Sequence, residues 1–213
     1  MSISSDIEAL HIDASEAPEV LKTFSRDTSI FERKPTIVAY PKNADEVASL
    51  VRFVHAEHEK GRLLSIAPRA AGTDMTGGPL TDSIVLSFTK YMNKVIEVGS
   101  EHVAAEPGIY YRDLEKQTLA KSGALIPSYP ASREICALGG MIGNNSGGEL
   151  TLRYGKTSQY VESLDVVLAD GSKAVFKALS QSELAQKESL QTLEGSIYRG
   201  VHDLVLNNQT LID

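Results

Sequence analysis

Apolar and polar positions divide the chain into short apolar runs separated by polar, glycine-rich turns. Ile37-Val38-Ala39 lies between Pro35 and Pro41 and predicts a short buried strand. Asn43 is a good helix N-cap, and Glu46 three residues later makes a capping-box-like start. Val47, Leu50, Val51, Val54 and His58 then recur at helical spacing, and Gly61 is placed to end the helix. Leu63–Ala67 predicts the next strand. Strand, helix and strand form a β-α-β unit, so this part of the chain should hold a small parallel sheet. Ile84–Phe88, Lys94–Val98 and His102–Ala105 predict three more strands. Tyr110–Lys121 predicts a helix with Tyr110, Leu114 and Leu119 on one side and Gly123 as its cap. Val161–Leu168 predicts a long buried strand, Asp170-Gly171 a hairpin turn and Lys173–Ala178 its return. Helical segments are expected over 6–24, 181–193 and 196–206, the last with Ile197, Val201, Leu204 and Val205 on one face. Residues 25–34 read as a polar loop.

Two stretches do not fit this periodicity. The first is Pro68-Arg69-Ala70-Ala71-Gly72-Thr73-Asp74-Met75-Thr76-Gly77-Gly78, which leaves the carboxyl end of a predicted parallel strand, where open α/β sheets place ligands. Small residues there let consecutive backbone N–H groups approach an anion such as a pyrophosphate. No Gly-Lys-Ser/Thr closes the stretch and no Gly-x-Gly-x-x-Gly opens a helix from it, so it is neither of the common nucleotide loops. Taken alone it reads as a plain turn. Asp74 reads as a side chain that caps the loop. The second stretch, 139–155, has five glycines and three Asn or Ser among its first ten residues. A packed core does not need that composition; a backbone lying against an extended ligand does.

Net charge of −7 argues against non-specific nucleic-acid binding, which needs a basic footprint. The single cysteine, Cys136, excludes an internal disulfide and fits a cytoplasmic protein. It reads as a buried structural thiol. The first residues, Met1–Glu8, carry neither the basic nor the apolar region of a signal peptide. No run approaches the ~20 apolar residues of a spanning helix, which leaves peripheral association with the inner face of a membrane open for an intact enzyme. His55 and His58 lie on neighbouring turns without further ligands nearby and read as surface residues, so no metal is expected.

The two unusual stretches belong to an ordered set. It comprises Pro35-Thr36-Ile37-Val38-Ala39-Tyr40-Pro41, Asp45-Glu46-Val47, the 68–78 loop, Glu106-Pro107-Gly108, Pro127-Ser128-Tyr129-Pro130-Ala131-Ser132, Gly139-Gly140-Met141, Arg153-Tyr154-Gly155 and Val166–Gly171. This set resembles the FAD-binding domain of the vanillyl-alcohol oxidase / p-cresol methylhydroxylase superfamily. Within it, the resemblance is to FAD-linked oxidases of D-2-hydroxy acids, the D-lactate, glycolate and D-2-hydroxyglutarate dehydrogenases. The resemblance covers roughly residues 30–180.

It implies a two-lobed α+β fold, a small parallel β-α-β lobe plus a larger mixed or antiparallel sheet lobe with flanking helices. The lead-in would be 1–34, the lobes 35–100 and 101–180, and the helical tail 181–213. It implies that Pro68, Arg69, Ala70, Ala71, Gly72, Thr73 and Asp74 hold the FAD pyrophosphate. Pro107 and Gly108 would lie against the nucleotide, and Ser132 would offer a polar contact. Leu138, Gly139, Gly140, Ile142 and Gly143 would pass the flavin and its ribityl chain, with Asn145, Ser146 and Gly148 continuing the contact. The backbone near Val161 or Val167 would line the adenine pocket. Arg153 would either supply positive charge near the flavin or bind loop carbonyls. Thr73 stands where covalently flavinylated members often carry histidine, which implies non-covalent FAD.

The resemblance further implies hydride transfer from a D-2-hydroxy acid to flavin N5 and onward transfer to a quinone, an electron-transfer protein or oxygen. Family enzymes are much longer, so this sequence is expected to be an N-terminal portion, with the catalytic residues in a second domain. Two other readings remain: a reductase of the kind that makes UDP-N-acetylmuramate, whose arginine-tyrosine-serine constellation is not found here, and a non-catalytic nucleotide-binding module.

Overall fold

In the computed structural model, which describes residues 3–212, the chain opens with α1 (Ile3–Ala9), β1 (Asp13–Ser15) and α2 (Pro18–Phe24). Met1, Ser2 and Asp213, the outer ends of the expected lead-in and tail, lie outside the described residues. The helical segment expected over 6–24 is therefore interrupted by a strand. Asp13, Ala14 and Ser15 pair antiparallel with Tyr40, Ala39 and Val38, and that edge accepts a strand whatever the local helical pattern. His11 turns the chain with φ +59°, and Pro18 starts the second helix, where its missing N–H is not needed.

The central sheet follows: β2 (Ile37–Tyr40), α3 (Ala44–Glu59), β3 (Ile66–Arg69) and β4 (Ile84–Ser87). Its order is β1-β2-β4-β3, with β4 parallel to both neighbours. Every residue of β2 and β4 is buried, as expected for parallel strands covered on both faces. Each buried Ile, Val or Leu there contributes roughly 1.5–3 kcal/mol. Asn43 accepts the Glu46 N–H at 3.0 Å, and the Glu46 carboxylate accepts the Lys42 N–H at 2.8 Å, so helix α3 starts where expected. Gly61 follows its end with φ +80°.

The strand expected over Leu63–Ala67 is displaced. Leu63 is 87% exposed, and β3 runs from Ile66 through Pro68 and Arg69 because pairing with Ile84–Ser87 sets its register. Pro68 is tolerated because β3 is an edge strand with no donor required there.

Further on, β5 (Val95–Val98) and β6 (Val103–Ala105) form an antiparallel ladder. Helix α4 (Tyr111–Ser122) is capped by Gly123 at φ +72°. Its inward face is Tyr111, Leu114 and Thr118 rather than Tyr110, Leu114 and Leu119. Tyr110 is instead bridged to Ala137, which delays the helix by one residue and turns Leu119 outward. Next come α5 (Leu138–Gly143), α6 (Thr151–Tyr154) and a 3-10 turn at Thr157–Tyr160. All of this lies in one compact unit, Met1–Val161.

The second unit, Glu162–Asp213, holds β7 (Ser163–Val167) paired with β8 (Lys173–Lys177), then α7 (Gln181–Ser189), α8 (Leu193–Asn207) and α9 (Gln209–Ile212). β7 has five residues and none is buried, so it is shorter and more exposed than the strand expected over Val161–Leu168. Ser180 makes a full capping box with Glu183. Helix α7 ends at Ser189, and Thr192 caps α8 through the Gly195 N–H at 3.3 Å. That cap starts the last long helix three residues before the expected Ser196. The fold is thus α+β, a small sheet of three parallel strands with an antiparallel edge strand, followed by two antiparallel ladders and helices.

Candidate functional site

Arg69 ends β3, and its carbonyl accepts the Phe88 N–H at 3.1 Å, which pins the strand end beside β4. Ala70, Ala71, Gly72, Thr73 and Asp74 then leave the sheet. Among the described residues, none of these five N–H groups donates to an acceptor of the chain. Backbone donors are normally paired, and a run of free ones after a parallel strand is suited to an anion. The loop is held from behind by side chains. Asp74 Oδ2 accepts the Thr76 hydroxyl and the Gly78 N–H, both at 2.7 Å. The Thr76 hydroxyl foremost, with these backbone donors, holds the Asp74 carboxyl below its ordinary pKa. Asp74 is thus the loop cap that its position suggested.

Arg69 is only 8% exposed. Its guanidinium donates to the carbonyls of Phe24 at 3.2 Å and Arg26 at 2.7 Å, and lies 5.0 Å from the centre of the Phe24 ring. Burial pushes its pKa down, yet arginine stays charged. Gly72 has φ +72°, and a Cβ there would stand 2.4 Å from Arg69 Nη2. The positive φ favours glycine there. A cavity of about 360 Å³ opens beside this loop. Arg69, Ala71, Gly72 and Thr73 line one side; Arg26, Asp27, Thr28, Tyr110, Arg112 and Ile135 complete it.

The second glycine-rich stretch forms α5. Leu138 donates to the Ile109 carbonyl at 2.9 Å and Gly139 to Pro107 at 2.8 Å, while Gly108 donates to Met92 at 2.8 Å. These bonds tie the 106–108 turn to the helix. A Cβ on Gly140 would meet only Ala70 Cβ, at 3.7 Å, so here the two stretches stand side by side. A Cβ on Gly143 would meet nothing. Ile142 packs against the Ile109, Leu114 and Leu138 cluster. Asn145, at φ +46°, accepts the Ser158 N–H at 2.9 Å, and the buried Ser146 gives its carbonyl to the N–H and hydroxyl of Thr157.

The structure therefore gathers Arg69–Asp74, Pro107–Gly108 and Leu138–Gly140. Pro68 is an exposed strand residue rather than part of the loop. Of the expected site residues, Arg69, Ala71, Gly72 and Thr73 line the cavity, and the others, Ser132, Gly148 and Val161 among them, do not. Ser132 gives its carbonyl to the Ile135 and Cys136 N–H groups, and Val161 follows the 3-10 turn. Arg153 lies 5.2 Å from the Tyr154 ring centre. Cys136 is buried, which pushes its thiol pKa up. Sequence reading missed Arg26, Asp27, Thr28, Tyr110, Arg112 and Ile135. The first three sit in a polar loop with no period to mark them, and the others reach the cavity only through tertiary packing. Among the described residues no group of three or more His, Cys, Asp or Glu is placed to hold a metal ion. Among the described residues no helix is long and apolar enough to cross a membrane.

A parallel strand feeding a run of N–H groups that have no acceptor among the described residues, beside the glycines of α5, is an arrangement suited to an anionic ligand. The chain belongs to the FAD-binding domain family, which matches residues 35–175. It is 34% identical over 165 residues to the glycolate oxidase subunit GlcD of Bacillus subtilis, covering 76% of this chain and 33% of that one. It is 30% identical over 192 residues to D-2-hydroxyglutarate dehydrogenase of Escherichia coli, covering 89% of this chain and 19% of that one. The chain thus spans from a fifth to a third of the length of these relatives. Among solved structures it is similar in fold to an alkyldihydroxyacetonephosphate synthase (TM-score 0.67, 21% identity, 85% of this chain and 35% of that one). A chitooligosaccharide oxidase gives TM-score 0.68 at 16% identity, over 85% of this chain and 38% of that one.

Proposed function

We propose that this chain holds FAD non-covalently, with the backbone of Ala70–Asp74 at the pyrophosphate and Gly140–Gly143 beside the flavin and ribityl chain. The intact protein would oxidise a D-2-hydroxy acid of the lactate, glycolate or 2-hydroxyglutarate type. The observation that carries this reading is the run of five free N–H groups next to Gly140, inside a chain of the FAD-binding domain family. Bound FAD supplies a hydride acceptor, and electrons would pass on to a quinone, an electron-transfer protein or oxygen. The chain's own part is to bind and orient. The loop donors receive negative charge, and the open backbone at Gly140 and Gly143 admits a flat ligand. The substrate class rests on the names of the relatives.

Non-covalent attachment is supported by Thr73, which lines the cavity with no histidine, and by Cys136, a buried thiol outside that lining. Residues 35–100 and 101–180 are read as two lobes of the cofactor domain. The single cysteine favours a cytoplasmic location, with peripheral membrane association compatible. The test is the visible spectrum after adding FAD and desalting, followed by acid precipitation. A retained flavin spectrum with the colour released to the supernatant is expected. A colour that stays in the pellet overturns non-covalent attachment, and a protein that never takes up FAD overturns the reading.

A further inference from the structure

Residues 25–33 form a closed strap. The Arg33 N–H donates to the Ser25 carbonyl at 2.8 Å, Arg26 pairs with Glu32, and Asp27 Oδ1 accepts the Ser29 N–H at 2.8 Å. Three contacts clip this strap to the 69–78 loop. Arg69 donates to Phe24 and Arg26 carbonyls, the Thr28 hydroxyl donates to the Asp74 carbonyl at 2.8 Å, and the Phe31 ring packs on Gly77. Of these, the Arg69 clip is the least exposed. Its guanidinium also lies against Gly72, where a Cβ would stand within 2.7 Å of Nε, Cζ and Nη2.

A buried cation ordinarily has a hydrogen-bonded counter-ion. Arg69 has none. Asp27 is the acid near enough to act on it through space, but it donates no acceptor to the guanidinium, and its Oδ2 is buried without a partner. Arg69 thus donates to main-chain carbonyls at the start of the strap, Phe24 and Arg26, while its planar group lies against the loop at Gly72.

Resting on the reading that the loop holds FAD, we propose that Arg69 is a positioning residue rather than a direct ligand. It locks the strap to the loop and fixes the backbone at Gly72, so that the free N–H groups are presented together. The requirement is for a planar, forked donor rather than for a charge. Lysine has a point charge and cannot bridge two carbonyls while stacking on a backbone.

The test compares the parent chain with Arg69→Lys, Arg69→Met and Thr28→Val. FAD affinity is measured by flavin fluorescence on protein shown folded by circular dichroism, with tryptic cleavage at Arg26 and Arg33 as a second readout. The expected result is that Arg69→Lys and Arg69→Met both lose FAD affinity at least tenfold, and that both are cut in the strap with FAD present while the parent is protected. Thr28→Val should lose affinity by a few fold in the same direction. A lysine variant that binds FAD like the parent while the methionine variant does not would overturn the proposal in favour of a direct charge. Variants that keep both affinity and strap protection, or lose only thermal stability, would overturn it in favour of a purely structural arginine. A parent chain that binds no FAD fails the functional reading itself, which separates the two.

Discussion

The 69–78 loop and the 139–148 stretch share a composition and differ in what their glycines do. In the first, Gly72 is favoured by its positive φ, a guanidinium lies against it, and the neighbouring N–H groups stay free. In the second, Gly139 and Gly148 answer to the protein's own backbone and Gly147 to the Thr151 side chain. A Cβ on Gly139 would stand 2.9 Å from the Pro107 carbonyl oxygen, and one on Gly148 would stand 2.3 Å from that of Tyr129. Gly108, in the turn that serves this stretch, would meet the Phe88 carbonyl oxygen at 2.2 Å. Only Gly140 and Gly143 face open or ordinary space. Glycine-richness therefore marks close backbone approach without saying whether the approaching group is ligand or chain.

The largest expected effect separates the two kinds. Gly108→Ala and Gly148→Ala force a methyl into backbone and should cost about 3 kcal/mol or more of stability, read by denaturant unfolding. A loss under about 1 kcal/mol would mean the close approaches are not real constraints. Next, Gly140→Val should unfold at the same denaturant concentration as the parent within about 0.5 kcal/mol. Its FAD affinity should nevertheless collapse, because the added methyls enter the space between α5 and Ala70. Unchanged FAD binding would remove Gly140 from the site and leave the second stretch purely structural.

The smallest effect concerns the loop's own cap. The Asp74 pKa is depressed in the folded chain, so its contribution is fully present above the ordinary carboxylate value of about 4 and is lost as pH falls through the lower folded value. Asp74→Asn should weaken FAD binding at neutral pH by a few fold, about 1 kcal/mol, and should flatten the acid limb of binding below about pH 4. An acid limb identical to the parent's would assign that titration to another group.

Much of the scaffold was legible in the residue pattern. Ile37–Ala39 and Ile84–Leu86 are apolar throughout because both faces of a parallel sheet are covered. Asn43, Gly61 and Gly123 mark helix ends by local backbone chemistry alone. The errors fell where a distant partner sets the outcome. Asp13–Ser15 became a strand because the edge of β2 was there to pair with. Leu63 is exposed because β4, not local hydrophobicity, sets where β3 begins. Tyr110 left its helix for a bridge to Ala137.

For the site, the sequence by itself determined which backbone could come close to a ligand, since small residues and the carboxyl end of a parallel strand are local properties. Only the tertiary structure decided which glycines face the chain instead, and that Arg69 donates to the carbonyls of Phe24 and Arg26. It also brought Asp27, Thr28, Tyr110 and Arg112 to the cavity. Those outcomes depend on contacts between segments distant in the sequence, and no periodicity along the chain encodes them.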